Sequence, residues 1–218
     1  YVGKRKPGAN VDTDIKDLAE RSLLKHRRKL REYIRKDPLF LSTLEPYAVH
    51  KDAPDIVRKM ALAGYSSGTG PMAAVAGAIA QAVGSDLLGE TEDVILENGG
   101  DIFMKTTSTR RLGIFAGDSP FTGSLILSIR PEMTPLGICT SSGTVGHSLS
   151  FGSADAVVVT SGDAALADAA ATALGNMVKT QEDISAAIQR GQEIPGVLGL
   201  VIVKGDKMGA WGHIEFAG

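Results

Sequence analysis

Residues 93–105 read DVILENGGDIFMK, and this stretch decides the fold class. Two short apolar runs, Asp93–Glu97 and Ile102–Lys105, flank Asn98-Gly99-Gly100-Asp101. Runs of that length bounded by Gly, Asn and Asp predict two strands joined by a tight turn. Further strand candidates follow at Arg111–Ala116, Ser124–Arg130 and Leu136–Thr140, separated by Gly, Asp, Ser and Pro. Ala156–Thr160 is a short, wholly apolar strand. Val197–Val203 and Gly209–Phe216 close the chain as a hairpin around Gly205-Asp206-Lys207.

Helices lie outside this middle block. Leu18, Ala19, Ser22, Leu23, His26, Leu30, Tyr33 and Ile34 recur at helical spacing and predict an amphipathic helix over 16–36. Asp37-Pro38 ends it, because the residue before proline is pushed out of the helical region. On that apolar stripe His26 reads as a packed side chain. A short segment, Leu39–Tyr47, leads to a helix from Ala53-Pro54 to about Ala63, with Pro54 in its first turn. Met72–Val83 is almost wholly Ala, Val, Ile and Gly, and a helix apolar all round is buried. Asp163–Val178 is an alanine-rich helix capped by Asp163, and Thr180–Gln189 is another. Helices and strands come in blocks, so the fold class is α+β rather than an alternating doubly wound sheet. With 218 residues the chain is expected to form one domain. Residues 1–50 are a basic helical extension and 54–216 the core.

Charge is uneven. Residues 1–36 hold twelve Lys/Arg and five Asp/Glu, so this segment is +7 within a chain of net charge −2, and the remainder is −9. The basic helix is expected to pack on the acidic body or on a second subunit. Nucleic acid is not the expected partner, since no recognition module and few stacking aromatics are present. No apolar run approaches the ~20 residues of a membrane span. The first ten residues have no apolar run after their basic ones, so no signal peptide is expected and the location is read as cytoplasmic. Cys139 is the single cysteine, so no disulfide forms within the chain. It reads either as a small buried hydrophobe or as a nucleophile for sulfur chemistry.

Three segments carry candidate chemistry. In ENGGDI the paired Gly99 and Gly100 bring amides close to a bound group, with Asn98 or Asp101 fixing a polar ligand, or else they simply make the turn. In CTSSGTVGHS, residues 139–148, the hydroxyls of Thr140, Ser141, Ser142 and Thr144 around Gly143 form an anion-sized nest. His147 beside it is a candidate acid or base. The ending of a P-loop is missing. On the third segment Asp168 and Thr172 sit one turn apart on a helix that is mostly alanine, a pair able to hold Mg²⁺ through oxygen. The four histidines are isolated, which excludes a zinc set.

Taken together, GPMAAVAGAIAQAVG, ENGGDIF, GICTSSGTVGHSLSFGSADAVVV and LADAAATALGN resemble the ApbE-like superfamily, whose founding members are FAD-dependent flavin transferases. The likeness covers residues 54–216 and is nearest to a smaller cytoplasmic branch. It implies antiparallel sheets related to the tunnelling fold, with packed helices. It implies FAD and Mg²⁺ as cofactors. Gly99-Gly100-Asp101 match a double-Gly-Asp motif near the flavin. Ala167, Asp168, Thr172 and Ala173 match the Ala-Asp-x-x-x-Thr-Ala motif that binds Mg²⁺, and a main-chain carbonyl near Val75–Ala76 completes that site. A Thr-Ser-Gly stretch resembles Ser141-Ser142-Gly143, or Thr140-Ser141 with one insertion. Two departures stand out. His147 is followed by SLSFGSADA instead of Asp-Pro-x-Thr-Gly, and Ala76-Gly77 stands where the transferases have Lys-Gly.

The expected function is therefore binding of a flavin nucleotide or related diphosphate with Mg²⁺, with transferase or hydrolase activity using His147. The alternatives are a non-enzymatic binding or assembly factor on the same fold and a sulfur-metabolism accessory protein using Cys139; a homo-oligomer is compatible with each.

Overall fold

The computed structural model describes residues 1–3, 14–144 and 151–217. Helix α1 spans Ile15–Lys36 and is capped by Asp14, whose side chain accepts from the Lys16 amide. Leu30 and Ser22 face inward from it. After the Asp37-Pro38 break, α2 is a single turn over Leu39–Ser42. Helix α3 runs Asp55–Ser67 with Pro54 just outside as its cap. It continues a turn beyond the expected end at Ala63, because it stops only where Gly68 (φ +77°) supplies a left-handed residue. A 3₁₀ turn over Pro71–Ala74 feeds α4, Val75–Leu87.

Strand β1 (Val94–Asn98) pairs antiparallel with β2 (Asp101–Lys105). The expected strands at 111–116 and 124–130 shrink to β3 (Arg110–Gly113) and β4 (Ile126–Ile129), which form a separate two-stranded sheet. Strand β5 is Leu136–Ser141 and β6 is Ala156–Ser161. Helices α5 (Ala164–Met177) and α6 (Asp183–Gln192) precede the closing hairpin of β7 (Val197–Lys204) and β8 (Lys207–Gly212). The last strand stops at Gly212, short of the expected Phe216, because Gly212 turns to φ +79°. Phe216 instead makes one bridge to Leu127. The main sheet has the order β1-β2-β5-β6-β7-β8, every pair antiparallel. This is the α+β class expected from the sequence.

Strand alternation sends side chains into two cores. Val157, Val159, Leu200 and Ile202 pack under Ala167, Ala170, Ala171 and Leu174 of α5. Ala156, Val158, Val201 and Val203 face the β3–β4 hairpin through Leu127 and Ile129. Ala165 and Ala169, on the far side of α5, join a third cluster with α3, α4 and Leu30 of α1. Helix α5 is thus sandwiched between the sheet and the outer helices, which explains why it is alanine on nearly every face. No helix among the described residues is long and apolar enough to cross a membrane.

Helix α1 lies on the body, as expected, through its apolar stripe and through one carboxylate. Asp86 of α4 accepts from Ser22 Oγ (2.8 Å) and Lys25 Nζ (2.9 Å), and His26 Nε2 lies 3.0 Å away. Burial alone would raise the Asp86 carboxyl; the hydrogen bonds from Lys25, Ser22 and His26 overcome it and hold it at about 2.

Candidate functional site

A cavity of about 290 Å³ opens where the start of α4, the start of β2 and the seam face of α5 meet. Asp101, Asp168, Thr172 and Asn176 line it from the core. The last three recur every four residues along α5, one polar stripe on an alanine helix. Leu41, Thr43 and Leu44, from α2 and the strand-like segment after it, cover the opening together with Phe151. That cover sits tightly, since a Cβ on Gly70 would lie 2.0 Å from the Thr43 carbonyl oxygen.

Asp168 Oδ2 accepts from the Gly77 amide at 2.9 Å. This carboxylate therefore sits at the N-terminus of α4, where free amides and the helix dipole favour an anion. Only glycine permits the approach, because a Cβ at position 77 would lie 2.1 Å from the Ala164 carbonyl oxygen and 2.9 Å from Asp168 Cβ. The retained glycine of Ala76-Gly77 is thus explained by helix packing. The Ala76 carbonyl accepts from Asn98 Nδ2 at 3.3 Å, which ties the end of β1 to the start of α4.

Asp101 Oδ1 accepts from the Thr140 amide at 3.3 Å. Burial pushes its carboxyl up to about 6, against hydrogen bonds from Cys139 and the Thr140 amide. Burial likewise drives Asp168 well above the carboxylate range; the charge of Asp101 adds to this, and the Gly77 and Ala76 amides oppose it. The two aspartates are 7% and 9% exposed. No Lys, Arg or His is among the described residues lining their cavity. Leaving such charge buried and uncompensated costs on the order of several kcal/mol, so the pair calls for a proton or a cation. Thr69 adds a second unmet demand: it lines the same cavity and its Oγ1 is buried with no partner among the described residues. Asp101, Asp168 and Thr172 form an oxygen-only donor set suited to a hard cation. No group of three or more His, Cys, Asp or Glu placed to hold a metal ion exists among the described residues, so any such ion takes the rest of its ligands from hydroxyls, carbonyls, water or the bound molecule.

The other predicted residues distribute differently. Gly99 and Gly100 form the β1–β2 turn with φ +67° and +103°. A Cβ on Gly99 would meet nothing within 4 Å, and one on Gly100 only the Thr140 carbonyl oxygen at 3.9 Å, so the turn itself explains both glycines. In the serine-rich loop the Gly143 amide donates to the Ala154 carbonyl and the Thr144 amide to Ser142 Oγ. Thr144 Oγ1 donates to Asp155 at 3.3 Å. These groups are spent on the loop's own closure, and Thr140 to Thr144 do not line the cavity. Ser141 faces α5, with its Oγ 3.3 Å from where a Cβ on Gly175 would lie. His147 falls outside the described residues. The chain re-enters at Phe151, whose amide donates to Asn176 Oδ1 at 2.8 Å, at the mouth of the cavity.

Cys139 is fully buried, with its thiol 3.3 Å from the Ala164 carbonyl oxygen. Burial pushes the thiol well up, and the charges of Asp101 and Asp168 push it further. This corrects the sulfur-chemistry alternative: the cysteine is the buried hydrophobe, with neither exposure nor thiolate character.

A family model described as AbpE bacteria matches residues 8–206 of the chain. The UPF0280 protein of Methanocella arvoryzae is 48% identical over 189 residues, covering 86% of this chain and 77% of that protein. A UPF0280 protein of Methanococcoides burtonii is 45% identical over 205 residues, covering 93% and 86%. Among solved structures, a mutant of the flavin transferase ApbE from Vibrio cholerae superposes with a TM-score of 0.60 over 96% of this chain and 91% of that one, at 16% identity. The apo flavinyl transferase ApbE of Pseudomonas stutzeri gives 0.53 over 95% and 88%, at 12% identity. At these identities the likeness is one of fold.

Proposed function

This chain belongs to the ApbE-like superfamily, in the family described as AbpE bacteria, and from that premise we propose that it binds a flavin nucleotide such as FAD through Mg²⁺ at the Asp101–Asp168–Thr172 cavity. The observation that carries the proposal is the pair of buried carboxylates facing one cavity with no basic side chain among its described lining residues. A diphosphate cannot approach two buried carboxylates without a cation between them. Asp168, fixed by the Gly77 amide, and Thr172, one turn on, would hold that cation through oxygen, with Asp101 lining the same cavity from the sheet. A bound Mg²⁺ would neutralise the diphosphate and make phosphorus more electrophilic. Thr69 Oγ1, with no partner among the described residues, would offer a hydrogen bond to the same ligand. In this proposal His147 exchanges the proton of the attacking hydroxyl. Breaking the phosphoanhydride of FAD leaves AMP, and FMN is joined to the hydroxyl of an acceptor or of water.

Incubation with FAD and Mg²⁺, followed by chromatography, tests the chemistry: AMP release that is lost in Asp168→Asn and on chelation supports it. Metal-dependent binding with no AMP over long incubation would instead support a non-enzymatic binding factor. That second reading is favoured by SLSFGSADA standing after His147 and by Ala76 standing in place of lysine.

A further inference from the structure

A larger groove, of about 780 Å³, runs between α1, α4 and β1 on the other side of the start of α4. Its floor is apolar: Leu23 and Ile34 from α1, Val75, Ile79 and Val83 from α4, and Leu96 from β1. Its rim carries Lys16, Arg27 and Arg31 against Glu20 and Glu97. The Arg27 and Arg31 side chains make no hydrogen bond or ion pair with any described residue. They also line a continuous basic ridge with Arg21, Arg28 and Arg35, which raises the local concentration of anions. Val75 walls both this groove and the aspartate cavity.

We infer that the groove is a second small-molecule site, taking an amphiphilic anion whose ring or acyl body lies on the α1–α4 floor and whose carboxylate, sulfonate or phosphate is held by Arg27 and Arg31. Charge complementarity selects the head group, because two guanidiniums with no partner among the described residues, beside an apolar slot, match an anion bidentately. The depth of the floor selects a small molecule. Ile79 and Val83 are only 8% and 5% exposed, so the floor is recessed. It offers far less surface than the roughly 1,000 Å² that a stable protein interface buries, while its volume is that of an ordinary ligand pocket. The inference does not depend on nucleotide binding next door.

Fluorescence titration of the full chain with 8-anilinonaphthalene-1-sulfonate, beside its neutral analogue N-phenyl-1-naphthylamine, tests it. The wild-type protein saturates with the sulfonate at one site. Arg27→Gln/Arg31→Gln weakens the sulfonate by about tenfold, a loss of ~1.4 kcal/mol, and leaves the neutral analogue within about twofold. Ala19→Trp, which fills the groove from a half-buried position on α1, weakens both probes. Asp168→Asn changes neither, so failure here and failure of the nucleotide reading are separately visible. Unsaturable binding, an unchanged sulfonate affinity in the double arginine variant, or loss of the sulfonate in Asp168→Asn would overturn the inference. So would a dimer on light scattering that Ala19→Trp dissociates, since the groove would then be an interface between copies.

Discussion

Asp86 and Asp168 are aspartates on two helices in contact, α4 and α5, and they have opposite surroundings. Asp86 is met by Ser22, Lys25 and His26, and its carboxyl is held at about 2. Asp168 is met only by the backbone amides at the start of α4 and by a second carboxylate among the described residues, and burial drives it well above the usual range. The first charge is compensated within the chain and fastens α1 to α4. The second is left for something outside the described chain to compensate. A carboxylate whose needs are met within the chain serves the fold; one whose needs are unmet, in a cavity, is a candidate binding group.

The sharpest way to break this contrast is to neutralise each aspartate in turn. Asp168→Asn is expected to remove metal-dependent turnover of FAD by about 100-fold or more, read as AMP release, while the fold persists because the amide side chain still reaches Gly77. Asp86→Asn should leave that turnover unchanged.

The pH dependence of stability sharpens it next. Asp101, with a folded pKa of about 6, binds its proton more tightly folded than unfolded, where about 3.9 applies. Without metal, the protein should therefore lose stability as pH rises from about 4 through 6, by roughly 3 kcal/mol from this group alone. Mg²⁺ should restore it, more at pH 8 than at pH 5. Asp86 has the opposite sign: its contribution is complete above about 4 and is lost as pH falls through about 2. Urea melts across pH 3–8, with and without Mg²⁺, would show both limbs. A metal-free protein that gains stability between pH 4 and 7 would contradict the account of Asp101.

Gly77→Ala probes the packing under the site. Its new methyl meets the Ala164 carbonyl at 2.1 Å, and parting α4 from α5 should cost about 1–3 kcal/mol as well as weaken Mg²⁺ binding. A denaturation midpoint equal to wild type would show that the helices need not touch there. The smallest effect is expected for Asp86→Asn, about 1 kcal/mol, since half-exposed pairs are screened; chemical denaturation of this variant reads it.

Much of this contrast was legible before the structure. Asp168 and Thr172 stood out as polar residues on an alanine helix, and the hairpin around Gly99-Gly100 followed from strand and turn patterns. Asn176, on the same stripe one turn further, was overlooked, although i+4 spacing from Thr172 pointed to it. What could not be read were contacts set by distant chain. The cover made by Leu41, Thr43 and Leu44 depends on Gly70, and Asp86 gathers partners some sixty residues away. That β3 and β4 form a sheet of their own could not be read either, because periodicity does not say which sheet a strand joins.

The most direct test is calorimetric titration of the protein with FAD, with and without Mg²⁺, on the wild type and on Asp101→Asn and Asp168→Asn. The account predicts binding that requires Mg²⁺ in the wild type, is weakened in Asp101→Asn and is absent in Asp168→Asn. FAD binding that is equally tight without metal, or unchanged in Asp168→Asn, would contradict it.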